Sequence, residues 1–349
     1  MPGLDVGGLA RWLTEVRPDL MDRPLHATLL VGGRSNLTYR IDGPRVPLVL
    51  RRPPLGHVLA TAHDMRREHR VISALQDSPV PVPLVVGYTD DTIAAQVTGT
   101  PFFVMTHVAG RVLADPDDNQ GFSPQDLHGV SIELAETLAQ LHTLEPESLG
   151  LGDFGRAAGY LERQLSTWGR QYEASRSREL PALDALQARL GRGMPRTADV
   201  RPTIVHGDYR LDNTIIAVEG GPLRIAAVID WEMATVGDPL VDLGLLGLYW
   251  DVSALPQEAA SLARGSVDPA AGYPDFAELV DAYAARVGSR VPDLSWYRAF
   301  AAYKLAVVIE QIHYRHGSGQ TVGEGLGRLG DLAEPIAREG LAWAAHAEE

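Results

Sequence analysis

The sequence predicts an α+β chain in two lobes, a small sheet lobe followed by a larger helical one. Three observations carry this. Short apolar runs broken by Gly and Pro turns fill residues 27–105, with a single helical pattern among them. Beyond residue 110, apolar positions recur at helical spacing in segment after segment. A length of 349 residues, 45% hydrophobic and 22% charged, supplies two substantial cores.

Taken in order, residues 5–16 read as a short leading helix. The run Thr28-Leu29-Leu30-Val31 precedes Gly32-Gly33-Arg34-Ser35-Asn36, and Leu37-Thr38-Tyr39-Arg40-Ile41 alternates before the turn Asp42-Gly43-Pro44. A third strand, Leu48-Val49-Leu50, ends in Arg51-Arg52-Pro53-Pro54. The pattern at 62–75 predicts a helix with Met65, Val71, Ile72 and Leu75 as its apolar positions, and strands follow at 84–88 and 101–105. Ser123-Pro124 is an N-cap followed by Pro at the first helical position, opening a helix to His142. Further helices are expected at 158–175, 181–190, 238–250, 276–287 and 294–313, and the segment 253–273 reads as a connection. Residues 1–105 are thus expected to form the first lobe, 106–110 the linker, and 111–349 the helical lobe.

Composition excludes several functions. No apolar run approaches the ~20 residues that span a bilayer, and the start Met1-Pro2-Gly3-Leu4-Asp5 lacks the features of a secretory signal. The absence of cysteine removes disulfides, thiolate metal sites and cysteine nucleophiles, so a cytoplasmic protein without membrane partners is expected. Net charge is −14, with +1 in residues 1–105 and −15 in the remainder. An acidic second half argues against nucleic acid as a partner. Lys304 is the only lysine, so no Gly-Lys-Ser/Thr phosphate loop exists, and only Lys304 could form a Schiff base.

The chemistry concentrates in His206-Gly207-Asp208-Tyr209-Arg210-Leu211-Asp212-Asn213 and, one apolar run later, Val228-Ile229-Asp230-Trp231-Glu232. Phosphoryl transfer must orient a hydroxyl and hold magnesium on nucleotide phosphates. A catalytic-loop Asp, an Asn five residues on and a metal-binding Asp after the next strand do this in kinase-like sites. Asp208 is the candidate catalytic residue, and Asn213 and Asp230 are the candidate metal ligands. The alternative is a polar turn between strands, where Asp and Asn are common. Gly32 to Asn36 follow a strand, so the loop could bring backbone N–H groups to phosphates, with Gly33, Arg34, Ser35 and Asn36 in contact; an ordinary hairpin turn is the alternative.

These motifs resemble the aminoglycoside phosphotransferase and choline kinase superfamily, over roughly residues 25–250. Gly237-Asp238-Pro239-Leu240-Val241-Asp242-Leu243 matches the helix that follows the metal-binding Asp there. The resemblance is closest to kinase-like domains fused to, or encoded beside, acyl-CoA dehydrogenases, through Gly32 to Tyr39, Leu50 to Gly56 and His206 to Asn213. It implies a bilobal protein-kinase-like fold with a small antiparallel sheet, ATP between the lobes, Mg2+, and a functional link to an acyl-CoA dehydrogenase, with residues 1–105 as the nucleotide-binding lobe and 111–349 carrying the catalytic and metal-binding loops and the acceptor site. It also implies that Arg51 stands where the superfamily places a phosphate-gripping lysine. Arg52 is the alternate if the register shifts by one, and a surface arginine at a strand end is the ordinary reading. Glu68 on the next helix is the candidate partner of that cation, and Met105 and Thr106 are expected at the adenine edge. His206 is expected to bond the backbone of its loop. Asp212, Trp231, Glu232, Asp238 and Asp242 are expected to support the loops, although Glu232 could reach a cationic substrate or a metal.

The expected reaction moves the γ-phosphoryl group of ATP to a hydroxyl of a small molecule. The acyl-CoA dehydrogenase association implies a hydroxyacyl acceptor, and the wider superfamily an amino alcohol or aminoglycoside. An acidic second half favours a cation, whereas Arg163, Arg170, Arg176, Arg178, Arg189, Arg192 and Arg196 could serve an anion. The rival is a nucleotide-binding regulator without transfer activity.

Overall fold

The computed structural model describes residues 1–30, 36–55, 64–90, 92–196, 201–251, 265–319 and 329–346. They group into two compact units. The first is Met1–Arg111 with Ile215–Ala217 and Ile225–Ala234; the second is Val112–Thr214, Val218–Arg224 and Thr235–Glu349.

In the first unit, helix α1 (Val6–Val16) starts at Asp5, whose carboxylate accepts the Gly7 N–H at 3.0 Å and so satisfies one free donor of the first turn. Its buried positions, Leu9, Trp12 and Leu13, recur three and four residues apart and form one face. That face meets an antiparallel sheet of strands β1 (His26–Leu29), β2 (Leu37–Asp42), β3 (Leu48–Arg52), β4 (Val85–Thr89) and β5 (Phe102–Thr106), in the order β1-β2-β3-β5-β4. Trp12 stands edge-on to Phe102 at 5.1 Å between ring centres, within a core that includes Tyr39, Ile41, Leu48, Leu50 and Val104. Each such side chain contributes about 1.5–3 kcal/mol on burial. Helix α2 (Met65–Leu75) is capped by Asp64, which accepts the N–H groups of Arg66 and Arg67. It buries Glu68 on the same face as Met65, Val71, Ile72 and Leu75. A short helix α3 (Thr92–Val97), which the sequence reading does not contain, packs on α1. Beyond Thr106 the chain runs to Arg111, which closes an antiparallel bridge with Ile216.

The second unit is helical. Helix α4 (Pro124–Thr143) opens on a capping box between Ser123 and Asp126. Helices α5 (Tyr160–Ser175), α6 (Pro181–Arg192), α7 (Leu240–Trp250), α8 (Phe276–Val287), α9 (Ser295–Gly317) and α10 (Ala333–His346) follow. Helix α7 is buried almost all round and packs on α9; a Cβ on Gly244 would lie 2.6 Å from the Tyr297 backbone, so only glycine permits that approach. Short strands β6 (Thr203–Val205) and β9 (Thr235–Gly237) pair antiparallel. Strands β7 (Thr214–Ala217) and β8 (Arg224–Val228) form the hairpin on which the boundary of the two units falls.

The result is the α+β architecture expected: a small antiparallel sheet lobe and a larger, mostly helical one. No helix among the described residues is long and apolar enough to cross a membrane.

Candidate active site

In the first unit, strand β3 decides which arginine faces which way, because successive side chains leave a strand on opposite faces. Arg52 shares the face of Leu48 and Leu50. Its Nη1 donates to the carbonyls of Gly3 and Thr98, both at 2.6 Å, and its Nε to that of Pro53 at 2.9 Å. Three carbonyls thus engage Arg52, which ties the N-terminal segment to the sheet. Arg51 faces the other way. Its Nη1 lies 2.8 Å from Glu68 Oε1, and its Nη2 donates to Asp230 Oδ1 at 3.0 Å. Arg51 is 9% exposed and Glu68 fully buried.

Burial works to lower the Arg51 pKa, but the carboxylates of Glu68 and Asp230 outweigh it, and the guanidinium is held charged. Burial pushes the Glu68 carboxyl up to about 7, against the pull of Arg51, and Asp230 and Glu232 add to the rise. Asp230 is the only non-glycine with positive φ among the described residues, at φ 66° and ψ 59°. That conformation costs about 1–3 kcal/mol and persists only where surroundings impose it. Contacts on both sides hold the neighbouring segment. The Val228 N–H bonds Pro81 O at 2.8 Å, Trp231 Nε1 bonds Val228 O at 3.0 Å, and Arg67 reaches Ala234 O at 3.0 Å.

Asn36, expected on the phosphates, is buried and donates from Nδ2 to Glu232 Oε2 at 3.0 Å. Gly33, Arg34 and Ser35 lie outside the described residues. Met105 is buried and paired in register with Val49 and Val85, while Thr106 exchanges hydrogen bonds with Leu84.

The second unit holds the other signature. Asp242, in the first turn of α7, accepts the N–H groups of His206 at 2.6 Å and Gly207 at 2.8 Å. His142 Nε2 approaches the same carboxylate at 3.3 Å, while its Nδ1 meets Tyr283 Oη at 2.8 Å. Burial acts to raise the Asp242 pKa, but the bond and charge of His142, with His206, hold it below the usual carboxylate range. Nothing in the spacing of the helix that ends near His142 marks this residue as a partner of Asp242. The His206 ring is buried, and its Nδ1 accepts the Asp208 N–H at 3.2 Å, so this histidine serves its own loop. Asn213 Nδ2 donates to the Asp208 carbonyl at 2.8 Å and to Asp208 Oδ2 at 2.9 Å. Arg210 lies 3.6 Å from Asp208 and 3.1 Å from Asp212, stacked 4.7 Å over the Tyr249 ring.

Each unit offers an oxygen donor of the kind magnesium takes. In the second, Asn213 spends its amide nitrogen on Asp208, which turns its carbonyl oxygen away from that bond; in the first, Asp230 has a part-exposed carboxylate. Hard oxygen donors of this kind, few in number and completed by phosphates and water, are how proteins hold magnesium. No cluster of three His, Cys, Asp or Glu among the described residues forms a ready-made metal cage.

The arginine stretch of the sequence reading is largely spent internally. Arg163 bonds the carbonyls of Arg156 and Ala158, Arg170 bonds Ser166 and Thr167, Arg176 pairs with Asp184, and Arg178 pairs with buried Glu310. Lys304, the only lysine of the chain, is buried and donates to Gly207 O at 3.3 Å.

Removal of the Asp242 carboxylate is expected to destabilise the second unit. Asp242→Ala leaves two buried N–H groups and His142 without their acceptor, a loss of about 3–5 kcal/mol. A carboxyl held below its usual range contributes stability above its unfolded pKa and loses it as pH falls through its folded pKa. Denaturant unfolding should therefore show the largest gap between wild type and variant near neutrality, closing on acidification below the usual carboxylate range. A constant gap from pH 7 to pH 2 would assign the stability to packing instead.

The sequence profile of the phosphotransferase enzyme family matches residues 26–279. The chain is 35% identical over 320 residues to rat (Rattus norvegicus) acyl-CoA dehydrogenase family member 11, covering 91% of this chain and 40% of that protein. It is 34% identical to the human (Homo sapiens) protein of that name, over 88% of this chain and 39% of the other. It therefore spans about two-fifths of the length of these curated relatives. A solved protein from Ralstonia eutropha JMP134, named after the aminoglycoside phosphotransferases, superposes with a TM-score of 0.83. That pair is 31% identical, over 98% of this chain and 99% of the other. The GDP and kanamycin complex of an aminoglycoside 2″-phosphotransferase shares the fold at a TM-score of 0.61 and 16% identity, over 96% of this chain and 98% of that one.

Proposed function

The chain belongs to the phosphotransferase enzyme family, and on that footing we propose that it moves the γ-phosphoryl group of ATP to a hydroxyl of a small molecule. One observation supports this above the others: Arg51 is held charged between buried Glu68 and the strained Asp230. A cation for phosphates and a carboxylate for a divalent ion stand side by side there, in a chain whose other signature joins Asp208 to Asn213.

In this reading Arg51 grips phosphate through its bidentate fork, oriented by Glu68. Asn213 and Asp230 would each offer magnesium an oxygen, and magnesium, when bound, would neutralise charge on the phosphates. Asp208 accepts or orients the proton of the acceptor hydroxyl. Asp242, His142 and His206 keep its loop in shape before substrate arrives, so little reorganisation is left to the reaction itself. No covalent intermediate on the protein is required.

For the acceptor we favour a hydroxyacyl group, including its CoA thioester, because the curated relatives carry the name acyl-CoA dehydrogenase. A functional link to such a dehydrogenase follows from the same names. Amino alcohols and aminoglycosides are the competing class, since kanamycin is bound in a protein of this fold. ADP release measured against panels of hydroxyacyl-CoAs, amino alcohols and aminoglycosides decides between them. Acceptor-dependent ADP formation with hydroxyacyl-CoAs alone is the expected result. A protein that binds ATP but answers to no acceptor in any panel is a nucleotide-binding regulator instead.

Asp230→Ala should weaken nucleotide binding in a magnesium-dependent way, by about tenfold or more, because a hard oxygen ligand is lost. Calorimetry of ATP with and without magnesium separates this from the accompanying release of Arg51, which acts in both conditions. Equal affinities for variant and parent in both would remove Asp230 from the metal site.

A further inference from the structure

Lys304 is the single lysine among 31 Lys and Arg residues, and it is 7% exposed. Helix α9 carries it inward, where Nζ donates to the carbonyl of Gly207 at 3.3 Å and lies 5.4 Å from the centre of the Trp168 ring of α5. Two carboxylates favour its charge, those of Asp208 and Asp242, although burial is the larger influence and lowers its pKa overall. A buried ammonium is expensive, and a methionine would fill the same space without that cost. A chain that otherwise uses arginine throughout has here the compact point charge that arginine cannot offer.

The site of contact gives the charge its use. Gly207 has φ +85°, a conformation that suits glycine, and it immediately precedes Asp208. Its N–H is taken by Asp242 and its carbonyl by Lys304, so this peptide is clamped from both sides. We propose that Lys304 is a positioning residue: it fixes the Gly207 carbonyl and, through that peptide and its own charge, sets the direction and electrostatic setting of Asp208. The inference rests on the reading of Asp208 as the residue that faces the acceptor hydroxyl. Trp168 faces the ammonium in a cation–π contact, and Gly207 and the two carboxylates are among its polar surroundings.

Two measurements test it, one of which needs no acceptor. Lysine labelled with 13C at Cε gives one side-chain signal in this chain. Its titration midpoint is expected to fall by about half a pH unit or more in Asp208→Asn, because a carboxylate that favours the ammonium is removed. An unmoved midpoint overturns the proposal, whatever the activity screen shows. Kinetics then separate positioning from mere support. Lys304→Met should lower turnover about 10- to 100-fold and leave the KM for ATP within about twofold, while Lys304→Arg restores part of the rate. Unchanged turnover in Lys304→Met overturns the proposal. So does a loss that Lys304→Arg repeats in full at unchanged unfolding temperature. If Lys304→Met does not fold, the arginine variant and the labelled Asp208→Asn protein still decide.

Discussion

Asp208→Asn is expected to bind Mg-ATP nearly as the parent does and to turn over about 10²–10⁴-fold more slowly, the loss typical of a missing general base. The substitution is conservative in shape. An amide oxygen at this position can still accept from Asn213 Nδ2, which donates to the Asp208 carboxylate at 2.9 Å and to its carbonyl at 2.8 Å. The loop should therefore survive, because its anchors lie elsewhere. Asp242 holds the N–H groups of His206 and Gly207, and the His206 ring holds the N–H of residue 208. What disappears is the negative charge proposed to face the acceptor, together with its attraction for Arg210 at 3.6 Å. Single-turnover measurement of ADP formation beside nucleotide calorimetry separates the two effects. Turnover at the parent rate would show that Asp208 does not handle the acceptor proton.

Much of this arrangement was legible in the sequence, for reasons that residues make plain. The spacing of Asp208 and Asn213 is local, and the backbone between them is short enough that five residues fix their encounter. The cap at Ser123-Pro124 and the apolar faces of α1, α2 and α4 are likewise written in nearby residues. The rest was not local. Leu48 to Arg52 are all buried, so no alternation of polarity told which arginine faces α2 and which faces α1. Only the pairing of β3 with β2 and β5 resolved it. The three-residue strands β6 and β9 are too short to show a period of two. Helix α10 buries mainly Ala, Gly and one Ile, a weak apolar signal. His142 meets Asp242 from 100 residues before it, and Lys304 meets Gly207 from 97 residues after it, and spacing carries no trace of either. A lone lysine in an arginine-using chain was the one mark available for Lys304. It identifies an oddity without locating it.

Arg51→Ala is expected to raise the Michaelis constant for ATP and lower turnover together. A kinase-like site needs a cation on the phosphates, and residues 1–105 contain no lysine, so arginine must supply it. The structure separates the two candidates by face. Arg52 is bound to the carbonyls of Gly3, Thr98 and Pro53, all backbone, and losing it should cost stability. Arg51 is bound to two carboxylates, and a cation held between carboxylates is ready to exchange one of them for phosphate. Removing it also leaves the buried Glu68 carboxyl, already pushed up to about 7, without its counter-ion, so that group should be protonated at neutral pH. Arg51→Lys should retain part of the activity, because lysine keeps the charge and loses the fork that spans Glu68 and Asp230. Arg52→Ala is the control: it should lower the unfolding temperature and leave the Michaelis constant for ATP close to that of the parent. Steady-state kinetics and thermal unfolding on the three variants test the assignment. Kinetic damage confined to Arg52→Ala, with Arg51→Ala silent, would transfer the phosphate role to the other face of β3 and leave the Arg51–Asp230 pair as a purely structural tie.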